Sequence, residues 1–469
     1  VPGSRGYLDY IILTAKRALT GTGKQFRFKY DAAATLTGVG EFQITNASGI
    51  SQVWDITDIY NVTSALNNGQ ANFSFRSPLG EVRRFIAVDA NDYFTPLRES
   101  RSRVANQDIK GTIFTNAEGQ SEDVDYLIVA PANLTAKAEK LAGFHRSYSG
   151  LNVKVLALEN IYQEFSSGKQ DIGAIRNMVR YVYENASAPA ERVKYLCLFG
   201  DASYDVLNRI PNNTNIVPTY GALNGETAGE ASFNTDDFYG MLDPDEGRID
   251  SPTGGFDLGG IDVSVGRLVV DDNAQAEDVV NKVIDYHDLQ SYGSWRNNIV
   301  MISDDVDKTA DASLQFRQNQ LADVIFAQKP FFNIRKIFLD AYEQETSSGG
   351  NRYPKARQDI FNAFEKGALV FNYLGHGGED GLAQERIWEK SDSQNLQNRY
   401  KYPLFITITC EFSRFDNPFR PTAGEFTFWN PRGGAVSMIT TVRSILQGPA
   451  ENFNDRLSQF LFGYGLGTG

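Results

Sequence analysis

Hydrophobic positions along this chain follow two different rules, and the change between them divides it. From about Tyr7 to Asp92 apolar and polar residues alternate, as in Gln25-Phe-Arg-Phe-Lys-Tyr30, Glu41-Phe-Gln-Ile44 and Asn72-Phe-Ser-Phe-Arg76. Alternation at a period of two predicts strands with one buried and one solvated face. The turn-forming clusters Gly21-Thr-Gly23, Gly38-Val-Gly40 and Asn67-Asn-Gly69 separate these segments at the spacing of a small β-sandwich. Residues 93–121 carry few periodic apolar positions and are expected to form an extended connection.

After Asp123 short apolar runs take turns with helical patterns, the signature of a doubly wound α/β sheet. Strands are predicted at 126–130, 153–156, 195–199 and 263–265, with helices over 134–148, 172–183 and 275–287. The segment 201–260, rich in Gly, Asn and Asp, is less regular. A second set continues with a strand at 298–302, a helix at 314–326, a strand at 334–339 and a helix at 356–364. The expected organization is an N-terminal β-sandwich domain with its linker over 1–121, a first α/β subdomain over 122–290 and a second over 291–469.

Two further runs, Gly367-Ala-Leu-Val-Phe-Asn-Tyr-Leu-Gly375 and Pro403-Leu-Phe-Ile-Thr-Ile-Thr409, show no alternation and therefore read as strands buried on both faces near the center of a parallel sheet. The first leads into His376-Gly-Gly and the second into Cys410-Glu-Phe. Ligands of open α/β sheets sit at the carboxyl ends of the strands, so this histidine and cysteine are expected to meet across one cleft. The separation of 34 positions leaves room for the crossover that parallel neighbors require, and a helix-like stretch at 392–399 supplies it.

Composition narrows the class. With 469 residues, 41% hydrophobic and 12% aromatic, the chain can bury more than one core, which excludes a disordered protein. A net charge of -13 with no basic stripe argues against nucleic acid as a partner, while leaving room for local basic patches. No run reaches the 18 or so apolar residues of a membrane span, and no signal peptide is visible. The opening Val1-Pro-Gly-Ser lacks an initiator Met, and together with the Gly-rich end it suggests a fragment of a longer chain. The two cysteines, Cys197 and Cys410, exclude a disulfide framework but leave a single bridge open. Cys197, inside Val193-Lys-Tyr-Leu-Cys-Leu-Phe199, is expected to be a small core hydrophobe. His145 and His287 lie on predicted helices without spaced ligands, so a zinc site is not expected.

A cysteine attacks as its thiolate, and a neighboring imidazole accepts the proton and later protonates the leaving amine. This chemistry requires no cofactor. Backbone amides near Gly377 and Gly378 are suited to an oxyanion, because glycine permits unusual φ and close approach. In Asp243-Pro-Asp-Glu-Gly-Arg-Ile-Asp250, the carboxylates of Asp243, Asp245 and Asp250 suit oxygen ligation of a structural calcium ion; the alternative is a hairpin turn stabilized by the same side chains.

Asn372-Tyr-Leu-Gly-His-Gly-Gly-Glu379 and Ile408-Thr-Cys-Glu-Phe-Ser-Arg-Phe-Asp-Asn-Pro418 resemble the catalytic strand ends of gingipain-like cysteine peptidases, which share a caspase-like sheet. Gly378-Glu-Asp-Gly-Leu382, Glu385-Arg-Ile-Trp388, Arg420-Pro-Thr-Ala-Gly-Glu425 and the opening Tyr7-Leu-Asp-Tyr10 are similar to the sortase branch of that family, which serves type IX secretion, and the likeness extends over nearly the whole chain. The resemblance implies a caspase/gingipain-like two-part sheet behind the sandwich. It also implies an exported enzyme on the extracellular face of the outer membrane of Bacteroidetes-type bacteria. Such an enzyme removes C-terminal sorting domains from secreted cargo and transfers the cargo to an anionic lipopolysaccharide through a Cys410 thioester. A PorV-like outer-membrane protein is the implied partner.

Carried over by residue, His376 matches the general acid/base and Cys410 the nucleophile, with the amides of Gly377 and Cys410 forming the oxyanion hole. Thr235-Asp-Asp-Phe-Tyr-Gly240 resembles the gingipain segment whose aspartate lines the primary specificity pocket, which points to Asp236 unless that residue holds a loop by an Asx-type turn. The family orients its histidine with an acid somewhat before that aspartate, which points to Glu226 or Glu230. The competing expectation is a non-catalytic scaffold of the attachment machinery, because a fold does not guarantee turnover.

Overall fold

In the computed structural model, which describes residues 11, 13, 15–98, 106–222, 233–247 and 259–464, the alternating N-terminal segments pair into two antiparallel sheets. One has the order Phe26–Lys29, Arg84–Asp89, Ile50–Asp55, Thr63–Leu66; the other joins Val39–Ile44 to Phe73–Pro78. Their inward positions form a phenylalanine core in which Phe42 stacks on Phe75 at 5.2 Å and Phe28 on Phe85 at 5.3 Å between ring centroids. Each such pair stabilizes by about 0.5–1.5 kcal/mol beyond its buried area.

The chain divides into two compact units, Val1–Ala105 and Asn106–Gly469. Residues 106–121, expected as part of a connection, instead belong to the second unit. Asp108 caps the short helix Ile109–Thr112 by accepting from Gly111 N at 2.8 Å, and Ile109 and Ile113 enter the core of the first α/β sheet. One turn of helix leaves no periodicity to detect in the sequence.

Within Asn106–Gly469 two all-parallel sheets follow one another. The first runs Ser264–Leu268, Tyr195–Phe199, Tyr126–Ala130, Val153–Ala157. Helices Leu158–Phe165 and Ile172–Glu184 pack on one face, Thr135–Phe144 and Asn273–His287 on the other. Cys197 lies in this core at 2% exposure, where burial pushes its thiol up to about 12. His145 and His287 are wedged among aromatic rings between helices, with His287 4.7 Å from Tyr148.

The second sheet runs Asn333–Phe338, Asn298–Ser303, Val370–Leu374, Leu404–Ile408, Ser437–Ile439, so the strand that leads to His376 is central and the one that leads to Cys410 is its neighbor. Helix Pro354–Lys366 covers one face, where Phe364 stacks on Phe371 at 3.9 Å. Helices Ala312–Gln328 and Gln447–Phe462 cover the other. Asn372, the one polar residue of the central strand, points toward these two helices and is satisfied by them. Gln318 Nε2 donates to its Oδ1 at 2.8 Å and its Nδ2 donates to Asn454 Oδ1 at 2.7 Å. Removing one member of this buried amide set would leave an unsatisfied group at a cost of about 1–3 kcal/mol.

The crossover between the two key strands holds a small three-stranded hairpin sheet, Gly377–Gly378, Gly381–Leu382 and Trp388–Glu389, followed by helix Lys390–Asn395. This helix starts and ends earlier than the sequence suggests, because Asp392 caps it by accepting from Glu389 N at 2.8 Å. The two sheets are tied together by Trp429 Nε1 donating to Val269 O and Lys282 Nζ to Phe428 O, both at 2.6 Å. Burial depresses the Lys282 ammonium to about 7. No helix among the described residues is long and apolar enough to cross a membrane.

Candidate active site

Leu374 and Ile408 are register partners, and Gly375 N donates to Ile408 O at 3.3 Å as the strands end. His376 and Cys410 are therefore each the second residue past the same rung, leaving the carboxyl edge of the sheet side by side. The backbone of His376 is held at both ends. Its N–H donates to Asp304 Oδ2 at 2.8 Å, while its carbonyl accepts from Tyr373 OH at 2.5 Å and Ala383 N at 2.9 Å.

The imidazole meets an acid that the sequence did not single out. His376 Nε2 lies 3.1 Å from Asp311 Oδ1, with 3% of the Asp311 side chain exposed against 40% of the histidine's. Asp311 Oδ2 accepts from Lys308 N at 2.9 Å, so the carboxylate is fixed by the turn Thr309–Asp311 that opens helix Ala312–Gln328. With Nε2–H donating to Asp311, a neutral imidazole keeps Nδ1 as its free acceptor. Glu226 and Glu230 lie outside the described residues.

Cys410 is half-buried, and the chain turns sharply just after it, with Glu411 at φ 51°. A non-glycine residue held in the left-handed region costs about 1–3 kcal/mol, so neighbors must fix it. Glu411 N donates to Arg443 O at 3.3 Å, and the Arg443 guanidinium forms a two-pronged pair with the fully buried Asp416 at 2.7 and 2.5 Å.

Gly377 owes its identity to close approach: a Cβ there would lie 2.6 Å from Thr409 Oγ1. Because Ala383 N donates to His376 O just outside the Gly377–Leu382 pair, that pair is of the non-hydrogen-bonded kind, and the ladder leaves the Gly377 amide uncommitted. Gly378 has open space around it.

Beside His376 lies a cleft of about 870 Å³ walled by the hairpin and by the loop after Cys410. Its wall carries Arg386, Lys390, Arg414 and Arg420 against Glu379, Asp380, Glu389 and Glu411, a local balance in a strongly acidic chain. Glu379 joins the two walls, accepting from Asn417 Nδ2 at 3.0 Å and pairing with Arg414 at 3.4 Å and Arg420 at 3.5 Å.

Arginines stand at two of the expected sites. Asp236 offers no free carboxylate to a substrate, because Arg267 grips both of its oxygens at 2.8 and 2.7 Å. The remaining guanidinium donors reach Gly200 O and Val217 O at 2.7 Å and Pro218 O at 3.3 Å, so the ion pair fastens the loop that follows the Tyr195–Phe199 strand. At the expected calcium loop, an arginine braces the backbone. Arg176 donates to the carbonyls of Met241 at 2.6 Å, Asp243 at 3.0 Å and Glu246 at 3.1 Å. Asp243 and Asp245 do not join a ligand cluster among the described residues, and Asp250 lies outside them.

A parallel sheet that carries a histidine and a cysteine on adjacent strand ends, with an acid behind the imidazole, has the layout of a caspase-like cysteine peptidase. Residues 119–468 match Peptidase family C25, and the chain belongs to that family. Among solved structures, it is similar to the Arg-specific cysteine proteinase gingipain R (RgpB), at 16% identity and a TM-score of 0.55 over 73% of this chain and 68% of that one. The complex of Porphyromonas gingivalis RgpB pro- and mature domains gives 17% identity and a TM-score of 0.53 over 72% and 68%. Dimeric latent PorU from Porphyromonas gingivalis matches at 24% identity and a TM-score of 0.47, over 59% of this chain and 26% of that one. The RgpB likenesses are likenesses of fold. No curated protein sequence matches the chain.

Proposed function

We propose that this C25 peptidase is a cell-surface endopeptidase and transpeptidase, a sortase of the PorU kind, in which Cys410 cleaves C-terminal sorting domains from secreted cargo. The observation that carries this reading is the shared rung that sets His376 beside Cys410, with Asp311 on the far nitrogen of the imidazole. His376 Nδ1 takes the thiol proton, and the Cys410 sulfur attacks the scissile carbonyl. The amides of Gly377 and Cys410 stabilize the resulting oxyanion. The C–N bond then breaks as His376 returns the proton to the amine of the departing sorting domain, which leaves a thioester on Cys410. An amine on an anionic lipopolysaccharide attacks that thioester, giving its proton to His376 and releasing the thiolate.

The enzyme would work on the extracellular face of the outer membrane. Its local charge balance admits an anionic acceptor without attracting it, so delivery falls to a PorV-like partner. The sortase motifs support this reading through what they build: Glu379 and Arg420 fasten the two cleft walls, and Trp388 anchors the hairpin in the core.

Asp311 acts as a positioning residue here. Asp311→Asn should lower kcat by about 10²–10⁴-fold with little change in KM, because an amide can present its N–H to Nε2 and favor the wrong tautomer. Steady-state kinetics on a cargo peptide, with the pH profile, would check this; an unchanged kcat would remove Asp311 from the mechanism.

The second half-reaction separates sortase from protease. Purified protein is incubated with a sorting-domain substrate, with and without an amine acceptor and the partner, and the new carboxyl ends are identified by mass spectrometry. Amine-linked product that depends on Cys410 and rises with the partner is expected, because a bound acceptor gains effective concentration over water. Free carboxyl ends under every condition would reduce the enzyme to a hydrolase.

A further inference from the structure

The hairpin that follows His376 closes in a loop whose backbone is strained at two positions. Strands Gly381–Leu382 and Trp388–Glu389 pair as far as the rung Leu382–Trp388, and between them Ala383 and Arg386 stand at φ 60° and 56°. A left-handed backbone is uncommon outside glycine and costs about 1–3 kcal/mol at each position, so the surroundings must impose it. Three hydrogen bonds do so: Ala383 N donates to His376 O at 2.9 Å, Arg386 N to Ala383 O at 3.3 Å and Ile387 N to Leu382 O at 3.1 Å. On either side of Arg386, Glu385 and Ile387 turn inward, at 4% and 0% exposure. The Arg386 side chain points out instead, 61% exposed, on the wall of the cleft beside His376.

Of the four cations described on that wall, Arg386 has the loosest hold on a counter-charge. Lys390 pairs with Asp380 at 2.8 Å, Arg414 with Glu411 at 3.1 Å and Glu379 at 3.4 Å, and Arg420 with both Asp380 and Glu379. Arg386 reaches Glu389 at 3.6 Å, and that carboxylate is already held at 2.7 Å by Arg357 from helix Pro354–Lys366. An exposed pair this long contributes almost nothing, so the guanidinium can turn to a bound chain.

We propose that Arg386 is a specificity residue for the leaving side of the scissile bond, where it pairs with the carboxylate of an aspartate or glutamate in the first few residues after the cut. The side follows from the mechanism proposed above, on which this inference rests. His376 returns a proton to the departing amine, so the departing chain passes the imidazole, and the cleft there is lined by His376 and by the hairpin that carries Arg386. The strained loop gives the guanidinium a fixed base, and its planar fork takes a carboxylate by two parallel N–H···O bonds. The four carboxylates of the wall each have a closer cation, so a lysine at the same place in the substrate finds no equivalent partner. Bound substrate and transition state make the arginine contact equally, so it acts on KM rather than kcat.

The test uses substrates that differ at one position. A sorting-domain substrate carries glutamate, glutamine or lysine at each of the first three positions after its cleavage point in turn, and kcat/KM is measured with the full chain, Arg386→Gln and Arg386→Glu. The parent protein is expected to prefer glutamate over glutamine by about tenfold at one of these positions, through KM, with a preference that shrinks in high salt. Arg386→Gln should bring that ratio to about one, and Arg386→Glu should turn it toward lysine. Binding of the same segments, as fluorescent peptides, to Cys410→Ala protein needs no turnover and so separates this proposal from the mechanism. A glutamate preference in binding that depends on Arg386 supports it even where no cargo is cut. Equal binding and equal kcat/KM for the three side chains would overturn it, as would a glutamate preference that survives Arg386→Gln. A uniform loss over all three substrates would mark a structural role and overturn it too.

Discussion

Cys410→Ala is expected to abolish cleavage of a sorting-domain substrate, by about 10⁴-fold or more, while leaving the fold intact. The thiol is only half-buried, and the turn around it is fixed by Glu411, Arg443 and Asp416 rather than by sulfur, so the stability change should stay below about 1 kcal/mol. His376→Ala should cost a similar factor because a thiol without its proton acceptor is a weak nucleophile at neutral pH. The double variant should be scarcely worse than either single one, since the pair acts as a unit. Processing rates and circular dichroism of the three variants test this together. Near-normal cleavage by a folded Cys410→Ala protein would end the catalytic assignment.

The second large effect is on stability. Asp236→Ala strips the counter-charge from Arg267, whose side chain is 4% exposed, and breaking a buried pair by removing one partner costs about 3–5 kcal/mol. The orphaned guanidinium still holds three carbonyls, so the loop around Gly200 and Val217 should loosen first. Replacing Arg267 by Met in the same protein should recover part of the loss, because an apolar pair of fitting volume removes the stranded charge. Urea unfolding of the single and double variants measures both. An Asp236→Ala protein as stable as the parent, with weakened substrate binding, would return Asp236 to the substrate pocket.

The parts of the site that lie on strand ends were legible in the sequence. Unbroken apolar runs mark doubly buried strands, and their last residues mark the sheet edge where ligands bind, so His376 and Cys410 could be placed without coordinates. Asp311 could not be placed that way. It sits in a one-turn 3₁₀ segment on a different strand's exit, where sequence distance from His376 carries no information about spatial distance. The family likeness points for this acid to Glu226 or Glu230, just ahead of Asp236, and Asp236 itself is held by Arg267. A sharper signal was present in Val263-Ser-Val-Gly-Arg267: an arginine inside an apolar strand needs a buried anion, and Asp236 is that anion.

The placement of His376 and Cys410 two residues past one rung also limits how such an enzyme can be silenced. The two residues are carried by paired strands whose ladder is buried among Phe371, Tyr373, Phe405 and Ile408, so drawing them apart would mean tearing the core of the second sheet. That is too costly for a reversible switch in a marginally stable domain. Control must therefore act on what reaches the strand ends, by a plug in the cleft or a cover over its mouth, and an inhibited form of this protein should retain an intact second sheet.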